Sequence, residues 1–262
     1  MALYGILGDI HGNREALGAA LAALESRGVD AVLCVGDIVG YNADPDACAR
    51  MLREAGALCI AGNHDLIGTG RLGFERCSNK AMHSLKRTRR ALHPDTVEFL
   101  LGLPSHRVIE ERFVLTHGGV RDVQQYMTRP RHFLENVAYL RSDFPGKPIC
   151  FFGHTHEQVV FEVEGGEVRE RDAAAGLARL KPGCEYFVNP GSVDASRKRA
   201  HKLAEYAIFD SAAQLLEMHR VPYDDDTTER RAAAAGYRIE AWRDRLYDVQ
   251  RRILGPRHRT AA

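Results

Sequence analysis

Five short blocks in this chain carry side chains able to bind metals and move protons. They are Asp9-Ile10-His11, Gly36-Asp37, Gly62-Asn63-His64-Asp65, His117-Gly118 and Gly153-His154-Thr155-His156. The donors are imidazoles, carboxylates and an amide, with no thiolate. That mixture suits Mn²⁺, Fe, Zn²⁺, Co²⁺ or Ni²⁺ better than Ca²⁺ or a closed structural zinc site. The donors outnumber the needs of one ion and fit two ions sharing a carboxylate. Taken singly each block is weak, because Asp9, Asn63 or His117 alone reads as a turn or cap residue. His154 and His156 lie two positions apart, which places both on one face of an extended segment.

The blocks gain weight from the elements that must position them. Residues 3–7, 31–35, 58–61, 112–116 and 149–152 are short apolar runs, and each ends at one block. After the first, Asn13 can cap a helix whose Leu17, Ala20, Leu21 and Leu24 share a face. The strand at 31–35 follows, so Asp9, His11 and Asp37 arrive at one sheet edge, because parallel strands share a carboxyl end. Ligands bind at that edge in open α/β sheets. Asp44-Pro45 opens a second helix to about Glu54.

Between the blocks the pattern is plainer. Gly68, Gly70 and Gly73 suggest a mobile loop, and residues 78–101 read as one or two helices interrupted at Pro94. Lys86, Arg87, Arg89 and Arg90 form a solvated helix face, with an anionic-substrate rim as the alternative. A strand at 107–109 and a helix at 130–141 are expected. Beyond residue 156 the chain turns β-rich. Residues 158–164 and 167–171 flank a Gly165-Gly166 hairpin turn, 185–188 leads into Asn189-Pro190-Gly191-Ser192, and 203–210 pairs with 214–221. Residues 226–254 read as one amphipathic helix carrying Tyr237, Trp242, Leu246, Val249 and Ile253. Arg257-His258-Arg259 reads as a frayed tail. The histidines outside the blocks (83, 93, 106, 132, 201, 219 and 258) are expected at the surface or in packing.

Composition narrows the class. The chain has 262 residues, 45% hydrophobic and 27% charged, enough to bury a real core. Its formal net charge is +1, so no global field argues for nucleic acid or an anionic membrane. No apolar run approaches the roughly 18 residues of a membrane span, and the first residues carry no basic leader region. The six cysteines are scattered without a Cys-x-x-Cys pair, which suggests reduced thiols and a cytoplasmic protein.

The five blocks, in this order, resemble the calcineurin-like metallophosphoesterase superfamily. Gly40-Tyr41-Asn42 and Asn189-Pro190-Gly191-Ser192 resemble its small bacterial and archaeal phosphodiesterase-like branch. The resemblance implies a four-layer α/β/β/α sandwich, two mixed sheets flanked by helices. It implies a domain over residues 1–222, with 223–262 as a helical extension packed on it, in a monomer or a homodimer. By the same resemblance Asp9, His11 and His156 would hold one divalent ion, Asn63, His117 and His154 the other, and Asp37 would bridge them, with Mn²⁺ the foremost candidate. A metal-bridging hydroxide would attack phosphorus in line, and His64 would protonate the leaving oxygen or stabilise equatorial charge. Asn63 and His64 would also touch substrate. Asp65 would either orient His64 or cap the next segment.

Departures from relatives shape the expected substrate. Protein phosphatases of the superfamily carry Gly-Asp-x-x-Asp-Arg-Gly and an arginine shortly after Gly-Asn-His-Glu. Here Gly40 and Tyr41 replace the Asp-Arg pair, and Leu66-Ile67-Gly68 offers no arginine. A small phosphodiester is therefore expected rather than a phosphoprotein. Arg197 is a replacement phosphate contact or a solvated side chain. A nuclease is the alternative enzyme, disfavoured by the near-neutral charge and the lack of a basic stripe with interleaved aromatics. A silent scaffold is the alternative outside catalysis, disfavoured because every metal-ligand position and His64 are intact.

Overall fold

The computed structural model describes residues 2–171, 177–195 and 201–254, so Arg197 and the tail at 257–259 lie outside the described residues. The first half of the chain runs β1 (Leu3–Leu7), α1 (Arg14–Ser26), β2 (Ala31–Cys34), α2 (Pro45–Glu54), β3 (Leu58–Cys59), α3 (Asn63–Gly68), α4 (Asn79–Ala91) and α5 (Pro94–Leu101). It continues through β4 (Arg107–Ile109), β5 (Phe113–Leu115), α6 (Pro130–Asp143), β6 (Ile149–Phe151), β7 (Gln158–Glu164) and β8 (Glu167–Arg171). The remainder is β9 (Leu177–Arg179), β10 (Glu185–Pro190), β11 (Leu203–Asp210), β12 (Leu215–Pro222), α7 (Asp225–Ala234) and α8 (Ala241–Leu254).

The strands form two six-stranded mixed sheets, ordered β3-β2-β1-β11-β12-β9 and β4-β5-β6-β10-β7-β8. In the first sheet β1, β2 and β3 are parallel, with Leu7 opposite Cys34 and Cys34 opposite Cys59. In the second, β5, β6 and β10 are parallel. These parallel strands are largely apolar because both of their faces are covered. Ile6, Leu33 and Val35 point into a core shared with Phe113, Phe151 and Val188 of the other sheet, while Leu7, Val32 and Cys34 face the side where α1 and α2 pack. Phe113 sits edge-on to Tyr4, Phe151 and Phe209 at 5.4–5.6 Å and is buried, as are the other three rings. Burying one such ring stabilises by about 1.5–3 kcal/mol, so this cluster is a main tie between the sheets. Helix α6 covers the outer face of the second sheet through Phe133, Val137 and Leu140. The result is the expected four-layer α/β/β/α sandwich.

Several expectations need correction in detail. The segment after Pro222 is two helices, not one. Helix α7 ends where Gly236 takes φ +70°, its N–H reaching Ala233 O and that of Tyr237 reaching Ala232 O. That reversal is a Schellman-type cap, which a glycine makes without strain. Tyr237 is buried by it, while Trp242, Leu246 and Val249 on α8 stay exposed. The run Gly68 to Gly73 begins as the end of α3 instead of wholly as loop. Strand β9 has no forerunner in the sequence reading. All six cysteines are free and buried. Among the described residues no helix is long and apolar enough to cross a membrane.

Helix α7 and the turn after it touch the loops that follow β1 and β2 directly. Thr228 donates to Asn13 Oδ1 at 3.0 Å, and Arg231 Nε to Asp44 Oδ2 at 2.9 Å. Arg238 donates to Tyr41 O and Asn42 Oδ1 at 2.9 and 3.0 Å, pinning the Gly40-Tyr41-Asn42 loop.

Candidate metal centre

The loops leaving β1, β2, β3, β5 and β6 are laced together by backbone bonds. Asp9 N donates to Gly36 O, His11 N to Asp37 O, and Gly153 N to His117 O. Asn189 joins the net, donating to Gly153 O and Thr155 Oγ1 at 2.9 Å each, and Ser192 Oγ donates to Asp9 O at 2.9 Å. This net holds a costly backbone. Asp9, His11, Asp37, His154 and His156 take φ values of +49°, +53°, +55°, +68° and +61°. Side chains with a Cβ rarely sit there, and the cost, on the order of 1–3 kcal/mol each, persists only where surroundings enforce it.

Glycines let the loops approach closely. A Cβ on Gly62 would lie 2.1 Å from Asp37 Oδ1, and one on Gly40, at φ +139°, would lie 2.4 Å from His64 Nδ1. The Gly-Asn-His-Asp and Gly-Tyr pairs are therefore steric requirements of this site.

The seven donors expected from the sequence, Asp9, His11, Asp37, Asn63, His117, His154 and His156, are all buried and converge. Asp9, His11 and His156 offer atoms mutually within 4.8 Å, and so do Asp37, His117 and His154. His11 Nε2 faces His156 Nε2 at 3.0 Å, and His156 Nε2 is 3.4 Å from Asp9 Oδ1. His117 Nε2 lies 3.0 Å from Asn63 Oδ1. Asp37 stands between the groups, with Oδ1 3.3 Å from His117 Nε2 and Oδ2 3.8 Å from His11 Nε2.

Backbone carbonyls fix the rings. His117 Nδ1 donates to Val35 O at 2.7 Å and His11 Nδ1 to Val39 O at 3.3 Å, since a carbonyl can only accept. Each ring therefore turns Nε2 away from its carbonyl, leaving it to carry the lone pair whenever the ring is neutral, the form metal-binding histidines need. His154 Nε2 is buried with no hydrogen-bond partner among the described residues, although the Gln124 backbone engages the same ring. An orphaned buried nitrogen on a ring grouped with the Asp37 carboxylate and His117 fits a divalent cation.

Burial alone would raise the Asp37 carboxyl, but His117, His64 and His11 hold it well below the usual range. Burial opposes charge on His117, yet Asp37 and Asp9 carry it up to about 9. His154 goes the other way, lowered to about 3 by burial and by the neighbouring His117. Its ring is thereby kept in the neutral form in which an imidazole binds a metal.

Asp65 takes the capping alternative. Its oxygens accept Ile38 N, Val39 N and Gly62 N at 2.8–3.1 Å, tying α3 to the loop after β2. Burial and the nearby Asp37 push it up to about 7. The His64 ring instead packs between Tyr41 and His11, with centroids at 4.8 and 4.5 Å, and its backbone N–H donates to Asp37 Oδ1 at 2.8 Å. His64 also groups with His11 and Asp37 as a third set of metal-competent atoms.

Four of the donors, Asp37, Asn63, His154 and His156, line a cavity of about 340 Å³, walled also by Arg76, Gln124 and Tyr126. The sequence reading missed these three. Arg76 lies among glycines and other charges with no periodicity, and Tyr126 sits between elements, so neither carried a local signal.

A family model described as "Calcineurin-like phosphoesterase superfamily domain" matches residues 2–214. The uncharacterized protein MJ0912 of Methanocaldococcus jannaschii is 29% identical over 228 residues, 85% of this chain and 88% of that protein. A metallophosphoesterase from Sphaerobacter thermophilus superposes with a TM-score of 0.72 at 28% identity, covering 93% of this chain and 96% of that one. The hypothetical protein PH1004 from Pyrococcus horikoshii OT3 superposes with a TM-score of 0.69 over 94% and 97%, at 16% identity, a likeness of fold alone.

Proposed function

This chain belongs to the calcineurin-like phosphoesterase superfamily, and from that premise we propose that it is a dinuclear metal-dependent phosphoesterase acting on phosphodiesters. The observation that carries the reading is Asp37, one oxygen turned toward the His117 side and the other toward His11. In this reading Asp9, His11 and His156 hold one divalent ion and Asn63, His117 and His154 the other, with Asp37 shared and Mn²⁺ the foremost metal. Such ions would supply Lewis acidity, making water a better nucleophile and neutralising charge on phosphoryl oxygens.

The chain's own residues do the rest. The carbonyls of Val35 and Val39 keep the rings of His117 and His11 in one tautomer. His64 lines the cavity and gives its proton to the leaving oxygen. Asn63 places its amide beside it. Residues 1–222 form the catalytic domain, and the extension from 223 steadies it through the bonds of Arg231 and Arg238. The protein is read as cytoplasmic, and Arg197, outside the described residues, is kept as a proposed phosphate contact.

The test is hydrolysis of bis(p-nitrophenyl) phosphate. Mn²⁺-loaded protein should turn it over, chelation should remove more than about 99% of the rate, and Mn²⁺ should restore it. Full activity after complete metal removal would sink the mechanism. Cleavage of single-stranded DNA in preference to small diesters would favour the nuclease.

A further inference from the structure

Two side chains of the cavity wall have no part in the chemistry above, yet both are set toward it. Arg76 is the sole Lys or Arg among the described residues lining the cavity. It is held from behind: Nη1 donates to Asp122 Oδ1 and Oδ2 at 3.0 and 2.8 Å, and Nη2 to Gln124 O at 2.8 Å. Among the described residues no hydrogen bond of its Nε is present, and the side chain is 52% exposed. A guanidinium fixed on one edge and open on another is pre-organised for an anionic oxygen, losing little freedom when it binds one.

Tyr126 is the second. Its ring lies against the His154 ring with centroids 4.0 Å apart, yet the residue remains 51% exposed. An aromatic side chain of this size is ordinarily buried or partnered on both faces. Here one face is backed by a candidate metal ligand and the remainder is open. A group resting on that open face would have the tyrosine ring between it and His154, within the cavity that Asp37 also lines.

We propose that Tyr126 and Arg76 form the recognition wall of this site, Tyr126 stacking a flat aromatic ring of the ester and Arg76 pairing with an anionic phosphoryl oxygen. The proposal rests on the phosphoesterase reading and deepens it, naming the substrate class as phosphoesters whose organic group carries a flat ring. Stacking on the tyrosine selects the organic group, while the guanidinium selects the anion whatever that group is. The two residues should therefore fail differently when changed.

The experiment compares three probes, adenosine 5′-monophosphate, phenyl phosphate and ribose 5-phosphate, as competitive inhibitors of bis(p-nitrophenyl) phosphate hydrolysis. Calorimetric binding of the same probes to metal-loaded protein needs no turnover. Wild type should bind a ring-bearing probe about tenfold more tightly than ribose 5-phosphate. Tyr126→Leu should reduce that ratio to near one, and Tyr126→Phe should keep it. Arg76→Ala should weaken all three by a similar factor of about ten or more, with Arg76→Lys recovering part of the loss.

Preference for the nucleotide alone would identify the ring as a base; preference for both aromatic probes would identify any flat ring. Equal binding of all three by wild type, or a ratio unchanged in Tyr126→Leu, would overturn the wall. Loss of binding in Arg76→Ala only through unfolding would show as a lowered melting temperature, and Arg76→Lys then decides. If wild type binds and discriminates the probes but hydrolyses nothing, the phosphoesterase reading fails and the wall stands.

Discussion

Asp37→Asn is expected to lower kcat/KM for bis(p-nitrophenyl) phosphate by about 10³-fold or more, with the fold retained. The substitution changes no volume. An amide oxygen can still accept the His64 N–H that Asp37 Oδ1 takes at 2.8 Å, so the loop after β2 keeps its anchor. What is lost is the second oxygen and the charge. An asparagine offers one donor atom toward His117 or toward His11, not one toward each. It also leaves His117 without the carboxylate that carries its pKa up to about 9. Metal content should fall together with activity, and steady-state kinetics alongside elemental analysis checks both. Circular dichroism should be unchanged.

The second large effect is expected at His64. His64→Ala should cost about 10²- to 10⁴-fold in kcat if the ring delivers a proton to the leaving oxygen. The loss should grow with the basicity of the leaving group. An alkyl leaving group needs the proton, while p-nitrophenolate departs with little help, so methyl p-nitrophenyl phosphate and a dialkyl diester bracket the effect. The metal content should stay at the wild-type value. His64 offers an atom within 4.8 Å of those of His11 and Asp37, so it could help hold an ion there, and a fall in metal content with no leaving-group dependence would reassign it as a ligand. Its packing against Tyr41 makes His64→Gln the companion variant that keeps more of the volume.

The candidate metal donors were legible because each is written within a few residues of a strand end. A strand of apolar residues, a glycine and a ligand make a local pattern, and parallel pairing brings such patterns to one edge. The role of Asp65 was not legible in that way. Its partners at Ile38 and Val39 are 27 and 26 residues away, and only the folded chain shows that its oxygens are spent on their amides. Arg76 and Tyr126 were missed for a related reason. Their place in the wall depends on how two loops cross the cavity, which no periodicity encodes. The break between α7 and α8 was locally signalled by Gly236, but the surrounding alanines and charges outweighed it in a helical reading. The sandwich itself followed from the resemblance, while the pairing of β9 with β12 needed the structure.

The bridging position of Asp37 is tested most directly by anomalous diffraction from crystals of the Mn²⁺-loaded protein. Two peaks are predicted, one beside Asp9, His11 and His156 and one beside Asn63, His117 and His154, each in contact with a different oxygen of Asp37. A single peak, or two peaks of which neither touches Asp37, would contradict it.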